Sequence, residues 1–193
     1  MKILCLSLGR NGTQSFTEFM EKQGLKATHF YEFEKLQYGE FTEDADGIEN
    51  HFNTIPYADV HVDIPTCLIF DRLYKRFPDA KFINITRPAD DWVSSMQKMS
   101  RIMGHEHDPY IFEEAYCNFY IKTGKQKIQD LDREELLAIR SSHLEKINDF
   151  FKDKPGYLEV ELTDPDISNK IATFINGKLD IPFPSRDTFR LYP

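Results

Sequence analysis

The sequence predicts an α/β fold in which a parallel β-sheet lies between two layers of helices. Three observations support this prediction: short apolar runs alternate along the chain with amphipathic stretches, apolar residues recur at helical spacing within those stretches, and the first run ends in a glycine-rich turn. The chain has 193 residues, of which 40% are hydrophobic and 29% are charged, as in a globular domain. We therefore expect residues 1–193 to form a single domain.

The chain opens with a strand, a turn and a helix. Ile3 to Leu8 is a short apolar run, which is typical of a strand that is buried on both faces. Gly9 begins the turn, and apolar residues at helical spacing then follow as far as Gly24, which suits the C′ position of a helix. Residues 31–55, which are rich in acidic and aromatic side chains, predict a long loop.

Strands and helices then alternate to the end of the chain. The predicted strands are Ala58 to Val62, Lys81 to Thr86 and Tyr157 to Leu162. The predicted helices run from Pro65 to about Phe77, from Arg87 to about Met103, from Ile111 to about Lys122, from Arg133 to Phe151 and from Asp164 to Ile175. The helix from Arg133 rests on an apolar stripe that we predict to contain Leu137, Leu144, Ile147 and Phe151, with His143 on the polar side.

Composition excludes several classes of protein. A net charge of −8 argues against general nucleic-acid binding, which needs a basic face. The three cysteines, Cys5, Cys67 and Cys117, do not form a disulfide framework, and no apolar run approaches the ~20 residues of a membrane span. The first apolar run lacks the basic flank and the cleavage site of a signal peptide, so we expect a cytoplasmic protein.

The turn after the first strand has the composition of an anion-binding loop. Its glycines allow the backbone to approach a phosphate, its N–H groups and the helix N-terminus attract negative charge, and its arginine and hydroxyls add donors. The residues of this loop are Gly9, Arg10, Asn11, Gly12, Thr13, Gln14 and Ser15. A plain turn that ends in a threonine cap is the alternative. The lysine and the Mg²⁺-binding hydroxyl of the ATP-binding loop are absent.

Two stretches resemble the sulfotransferases that use 3′-phosphoadenosine 5′-phosphosulfate (PAPS). LSLGRNGTQSFTEFMEKQGLKATHF is similar to the opening of that family, and ITRPADDWVSS places Arg87 at a strand end with Ser95 eight residues later, as the family does. VDIPTCLIFDRLYKRFPDAKFI, HLEKINDFFKDKPGYLEVELTD and FINGKLDIPFPSRDTF are weaker matches in the family's order. The loop departs from the family at Gly9, Asn11 and Gln14.

The resemblance implies a three-layer P-loop-type fold that binds PAPS without a metal and releases 3′-phosphoadenosine 5′-phosphate (PAP). It assigns the donor's phosphosulfate to the loop from Gly9 to Ser15 and its 3′-phosphate to Arg87 and Ser95. Arg10 would stabilise charge on the leaving phosphate in an in-line transfer. Phe16 stands where the family often has an aromatic residue against the adenine, but we favour a core position for it.

Asp63 is the candidate general base, because it stands before Ile64-Pro65 where cytosolic members of the family have a histidine. A carboxylate with a pKa near ~3.9 is a weak base for an alcohol unless it is buried. The alternative is that Asp63 caps the next helix. His61 lies two residues earlier, on the face that strand alternation gives to Asp63, and could assist it, although we favour a structural role.

Several alternatives stay open. The chain could be a P-loop small-molecule kinase, which the missing lysine argues against, or a non-catalytic nucleotide-binding protein, which the altered loop keeps open. The acceptor of the sulfuryl group is a hydroxyl or an amine of a small molecule, a lipid or a carbohydrate, and a homodimer is compatible with the sequence. His105 to Asp108 resembles a metal cluster, but we expect a solvated loop, and we expect Arg186 and Arg190 at the surface.

Overall fold

The computed structural model describes residues 1–29, 58–63, 66–103 and 130–185. They belong to two compact units, one holding residues 1–29, 58–63, 66–87 and 155–185, and the other residues 88–103 and 130–154. A single domain over residues 1–193 stays a prediction. The loop predicted at residues 31–55 and the helix predicted from Ile111 to Lys122 lie outside the described residues.

Five strands and five helices are described. In chain order they are β1 (Ile3–Cys5), α1 (Thr13–Lys22), β2 (Ala27–His29), β3 (Val60–Val62), α2 (Phe70–Arg76), β4 (Lys81–Thr86), α3 (Ala89–Met103), α4 (Arg133–Phe151), β5 (Tyr157–Glu161) and α5 (Ile167–Ile175). Helices α3 and α4 belong to the second unit, and the other elements to the first.

The five strands form one parallel sheet in the order β2-β3-β1-β4-β5. At the level of Leu4 in β1, the neighbouring residues are His61 in β3 and Phe82 in β4. The chain passes from β3 on one side of β1 to β4 on the other. Such a switch in strand order opens a crevice beyond the carboxyl ends of the strands, which is where α/β sheets bind ligands.

Helices cover both faces of this sheet. On one face, α1 and α5 pack against the strands in a core of apolar residues that includes Phe16, Ile83 and Ile171. On the other face, the ring of Tyr74 in α2 lies 5.5 Å from the ring of Phe82. The predicted α/β fold with helices on both faces of a parallel sheet is confirmed.

Two helix ends differ in how well the sequence predicted them. Helix α1 ends as predicted: Gly24 has a φ of 84° at C′, its N–H donates to the Glu21 carbonyl, and the Leu25 N–H donates to the Met20 carbonyl. Helix α2, predicted to begin at Pro65, begins at Phe70 with Ile69 at its N-cap.

Helix α4 has the predicted bounds, and α3 ends at Met103 as predicted but begins at Ala89 rather than at Arg87. The buried stripe of α4 is shifted. Its buried residues are Leu136, Ile139, His143, Ile147 and Phe151, spaced by three and four positions on one face. The prediction that His143 lies on the polar side is therefore wrong. A capping box between Asp132 and Glu135 starts this helix, with the Glu135 N–H 2.9 Å from Asp132 Oδ1.

Strand β2 is an element that the sequence analysis missed. It is a three-residue edge strand of half-buried residues, Ala27, Thr28 and His29, without an apolar run to mark it. Among the described strands it pairs with β3, with His29 level with Val62 at the carboxyl edge. Within the described ranges, no helix combines the length and the hydropathy that a membrane span requires.

Candidate anion-binding and catalytic site

The loop after β1 leaves the sheet through a side-chain hydrogen bond. The Leu6 N–H still donates to the Ile83 carbonyl of β4, at 2.8 Å. One step further along, the Ile85 N–H donates to Ser7 Oγ at 2.6 Å, so a hydroxyl accepts the hydrogen bond that the next carbonyl of a longer strand would accept. The chain then leaves the strand and forms a tight turn, in which the Asn11 N–H donates to the Leu8 carbonyl.

The turn delivers an open helix N-terminus to the carboxyl edge of the sheet. Gly12 is the N-cap of α1 with a φ of 82°, and among the described residues no side chain caps the helix. The first turn of α1 contains no acidic residue. The N–H groups of the first turn and the positive end of the helix dipole therefore favour an anion.

The loop has a close approach at Gly12 and a buried amide at Asn11. A Cβ on Gly12 would lie 2.6 Å from Leu162 Cδ1, so any other residue would have to displace the end of that side chain and adopt a φ of 82°. Asn11 is buried, and its Oδ1 has no hydrogen-bond partner among the described residues. That oxygen is an acceptor, so it suits a ligand that offers an N–H or a hydroxyl, and a phosphate oxygen would not satisfy it.

Two arginines meet at this loop. Arg87, which follows β4, donates from Nη1 to the carbonyl of Arg10 at 3.4 Å. Burial, followed by the positive charge of Arg87, lowers the pKa of the Arg10 guanidinium, and the carboxylate of Asp63 opposes this effect. An arginine stays protonated in proteins, so the two guanidiniums concentrate positive charge beside the N-terminus of α1.

Asp63 follows β3 at the same edge and is buried, with 2% of the residue exposed. Its Oδ2 accepts a hydrogen bond from Thr13 Oγ1 at 3.3 Å and lies 3.4 Å from His29 Nε2. The capping alternative does not hold for α2, whose N-cap is Ile69.

The backbone of Asp63 is strained in a way that marks functional sites. Three described residues other than glycine have a positive φ: Arg10 at 71°, Asp63 at 74° and Asn176 at 56°. Asn176 ends α5, a position where asparagine is common. Arg10 and Asp63 have no such role, and left-handed residues of this kind cluster at active sites.

His29 is the residue of this site that the sequence analysis missed. Its side chain is 8% exposed, and its Nε2 lies 3.0 Å from Thr13 Oγ1. Burial lowers the pKa of His29, and the charge of Asp63 opposes that shift. The signal in the sequence is the segment after Gly24: a helix in a parallel sheet leads into another strand, and the end of that strand meets the same edge.

His61 lies on the other face of the sheet. Val60 and Val62 pack into the core beneath α1, so His61 between them faces away from α1. Its Nε2 lies 3.4 Å from Lys2 Nζ, and its Nδ1 lies 3.4 Å from Thr28 Oγ1. The prediction that His61 shares a face with Asp63 is wrong, because the left-handed backbone of Asp63 ends the alternation of the strand. The structural role that we favour for His61 agrees with its contacts.

The remaining candidates fall into three groups. In the loop and α1, Gly9 and Ser15 are buried, Gln14 is half-buried and Phe16 is confirmed as a core residue. Ser95 lies half-buried in α3, in the second unit, and its sharing of a phosphate with Arg87 stays a prediction. His105 to Asp108, Arg186 and Arg190 lie outside the described residues. Elsewhere, within the described ranges, no group of three metal-ligating side chains is found.

Comparison with known proteins identifies the class. A sulfotransferase domain family matches residues 2–188, so the chain belongs to that family. One curated relative is "Ava biosynthesis cluster protein M" of Aspergillus versicolor, which is 31% identical over 109 residues. The aligned region covers 50% of this chain and 42% of the relative, so the chain spans less than half of that protein's length.

Proposed function

We propose that this protein transfers a sulfuryl group from PAPS to a hydroxyl or an amine of an acceptor. The observation that carries the proposal is the meeting of Arg10 and Arg87 beside the uncapped N-terminus of α1. Two neighbouring guanidiniums repel each other, and an anion bound between them and the helix relieves the repulsion. A donor that carries both a phosphosulfate and a 3′-phosphate suits such a concentration of positive charge.

The residues of the site divide the anionic groups of the donor between them. We assign the 5′-phosphosulfate to the N–H groups of the loop from Gly9 to Ser15 and to Arg10, and the 3′-phosphate to Arg87 with Ser95. When bound, PAPS supplies an activated sulfuryl group with a phosphate as the leaving group. Arg10 stabilises the negative charge that develops on the leaving oxygen.

Asp63 acts as the general base of the proposed reaction. It takes the proton of the acceptor hydroxyl or amine as the new bond to sulfur forms and the bond from sulfur to the leaving oxygen breaks, which leaves PAP. Asp63 is buried and has a left-handed backbone. It follows β3 at the carboxyl edge of the sheet, where the loop after β1 and Arg87 also lie. His61, which contacts Lys2 and Thr28 on the other face, has no part in this proposal.

The proposed acceptor is a small molecule, a lipid or a carbohydrate that carries a free hydroxyl or amine. In this family the acceptor pocket is commonly built by segments that correspond to residues 31–57 and 104–125, all of which lie outside the described residues. We propose that the reaction takes place in the cytoplasm, without a metal ion.

The test is a calorimetric titration with PAP, with 5′-AMP and ATP–Mg²⁺ as controls. We expect PAP to bind far more tightly than 5′-AMP, because Arg87 and Ser95 recognise the 3′-phosphate that 5′-AMP lacks. Equal affinities, or tighter binding of ATP–Mg²⁺, would overturn the proposal in favour of the kinase. Tight PAP binding without PAP release from PAPS would instead indicate a non-catalytic nucleotide-binding protein.

A further inference from the structure

We propose that His29 is a positioning residue, which acts through the Thr13 hydroxyl to hold the Asp63 carboxylate in place for proton transfer. The inference rests on the proposed function, since it needs Asp63 to be the base. It adds a residue from β2 to a site that is otherwise built from the loop, β3 and β4.

Three polar atoms make the connection. His29 Nε2 lies 3.0 Å from Thr13 Oγ1, Thr13 Oγ1 lies 3.3 Å from Asp63 Oδ2, and Asp63 Oδ2 lies 3.4 Å from His29 Nε2. The side chains of His29 and Asp63 are 8% and 3% exposed, and Thr13 is 4% exposed. Because water is largely excluded, the hydrogen bonds among these groups are little weakened by competition with water.

The chemistry of the three groups sets the direction of the hydrogen bonds. An ionised carboxylate only accepts, so the Thr13 hydroxyl donates its one proton to Asp63. The Thr13 oxygen can then only accept from His29, and Nε2 must carry the hydrogen. With the hydrogen on Nδ1 instead, the Nε2 lone pair would face the carboxylate oxygen at 3.4 Å, which is repulsive. His29 is therefore in the Nε2–H tautomer.

This arrangement connects the anion-binding loop to the base. Thr13 is the first residue of α1, and its hydroxyl is engaged by Asp63 rather than offered to the donor. The carbonyl of Thr13 accepts a hydrogen bond from Thr17 Oγ1 at 2.9 Å, which holds the first turn. One side chain therefore fixes the spacing between the N-terminus of α1, where the donor binds, and the carboxylate that receives the proton.

A neutral imidazole is suited to this task. It donates a hydrogen bond to the threonine without bringing a positive charge beside the base, and a charged partner at that distance would weaken the carboxylate as a proton acceptor. Burial lowers the pKa of His29, which favours the neutral form near neutral pH.

The test compares His29→Phe with His29→Gln. Phenylalanine fills the space but cannot donate, whereas the glutamine amide places a donor close to the position of Nε2. The readouts are PAP affinity by calorimetry and the rate of PAP release from radiolabelled PAPS, with water as the acceptor. We expect His29→Phe to slow release by about tenfold or more with PAP affinity within about twofold of wild type, and His29→Gln to restore most of the rate.

Thr28→Val is the matched control, since Thr28 lies beside His29 in β2 but contacts Val60 and His61 on the other face. We expect it to keep the wild-type rate. If His29→Phe does not fold, Thr13→Val breaks the same connection and Thr13→Ser keeps it, with the same expected contrast. Wild-type release by His29→Phe or by Thr13→Val overturns the inference alone, whereas a wild type that neither binds PAP nor releases it overturns the proposed function as well.

A measurement on the wild type is independent of activity. Long-range ¹H–¹⁵N correlations of the imidazole nitrogens distinguish the two tautomers, with the His29 signals assigned by their loss in His29→Gln. The Nε2–H tautomer is expected, and a change in the His29 signals in Thr13→Val is expected with it. An Nδ1–H tautomer at neutral pH would overturn the hydrogen-bond directions and the inference with them.

Discussion

The Arg87 guanidinium donates to the carbonyl of Arg10, with 3.4 Å between Nη1 and O. This contact connects the residue that follows β4 to the loop that follows β1, and these two strands are neighbours in the sheet. It stabilises a left-handed arginine, whose φ of 71° would otherwise be costly. Arg87 thereby connects the end of β4 to the loop that opens α1.

Arg87→Ala is expected to weaken PAP binding by about 10- to 150-fold, since a charge-assisted hydrogen bond contributes ~1.5–3 kcal/mol. The affinity for 5′-AMP should change less, because 5′-AMP lacks the 3′-phosphate that Arg87 is proposed to bind. Calorimetry of both ligands measures the difference. Arg76→Ala, which removes an exposed arginine of α2, should change neither affinity. An unchanged PAP affinity in Arg87→Ala would contradict the assignment of Arg87.

Asp63→Asn is expected to abolish measurable turnover, because an amide cannot take the acceptor proton and general-base catalysis contributes about 10²–10⁴-fold. PAP should bind as tightly as to the wild type or more tightly, because a negative charge near Arg10 is removed. The release of PAP from PAPS and calorimetry measure the two effects. Asp79→Asn, at an exposed position, is the control. Wild-type turnover in Asp63→Asn would show that another group is the base.

Gly12→Ala and Gly24→Ala separate two costs of replacing a glycine. Both residues have a φ above 80°, which costs a residue with a Cβ about 1–2 kcal/mol. At Gly24 no described atom lies within 4 Å of the new Cβ, whereas at Gly12 it meets Leu162 Cδ1 at 2.6 Å. Urea denaturation should show the larger loss of unfolding free energy for Gly12→Ala, and only that variant should lose PAP affinity. Equal losses in both variants would mean that the Leu162 side chain moves away without cost.

The lowered pKa of His29 predicts a specific loss of stability in acid. Below about pH 6.5 the unfolded chain binds a proton at this histidine before the folded chain does, so acidification favours unfolding. The contribution is fully present above about pH 6.5 and is lost as the pH falls toward the lowered pKa. Lowering the pH from about 7.5 to about 5.5 should therefore reduce the free energy of unfolding more in the wild type than in His29→Gln. Urea denaturation at the two pH values measures this difference. Equal losses in the two proteins would contradict a buried neutral His29.

Much of the fold could be predicted because local and global signals agree in those segments. Strand β4 has the predicted bounds, since it is an apolar run that starts after Pro78-Asp79 and ends before Arg87-Pro88. Helix α4 has the predicted bounds as well, with a capping box at its start. The start of α2 was wrong because the residues from Thr66 to Ile69 form turns, although a proline precedes them.

The sequence predicted those residues of the site that follow strands with a clear apolar pattern. Arg10, Asp63 and Arg87 follow strands that carry apolar residues, so their meeting at one edge was expected, and the described contacts place them there. His29 ends a strand of mixed polarity, whose assignment depends on pairing with β3. Local sequence does not predict such pairing. His61 was misplaced because strand alternation was extended through a residue with a positive φ.

The hydrogen bond from the Ile85 N–H to Ser7 Oγ has an evolutionary consequence. The last amide of β4 that faces β1 is satisfied by a side chain on the strand side of the loop, so this hydrogen bond involves no residue after Leu8. Substitutions at loop positions other than Gly12 can therefore accumulate without breaking it. Glycine at position 9, asparagine at position 11 and glutamine at position 14 are substitutions of this kind. The hydroxyl of Ser7 thus allows the chemistry of the loop to diverge while the fold is inherited unchanged.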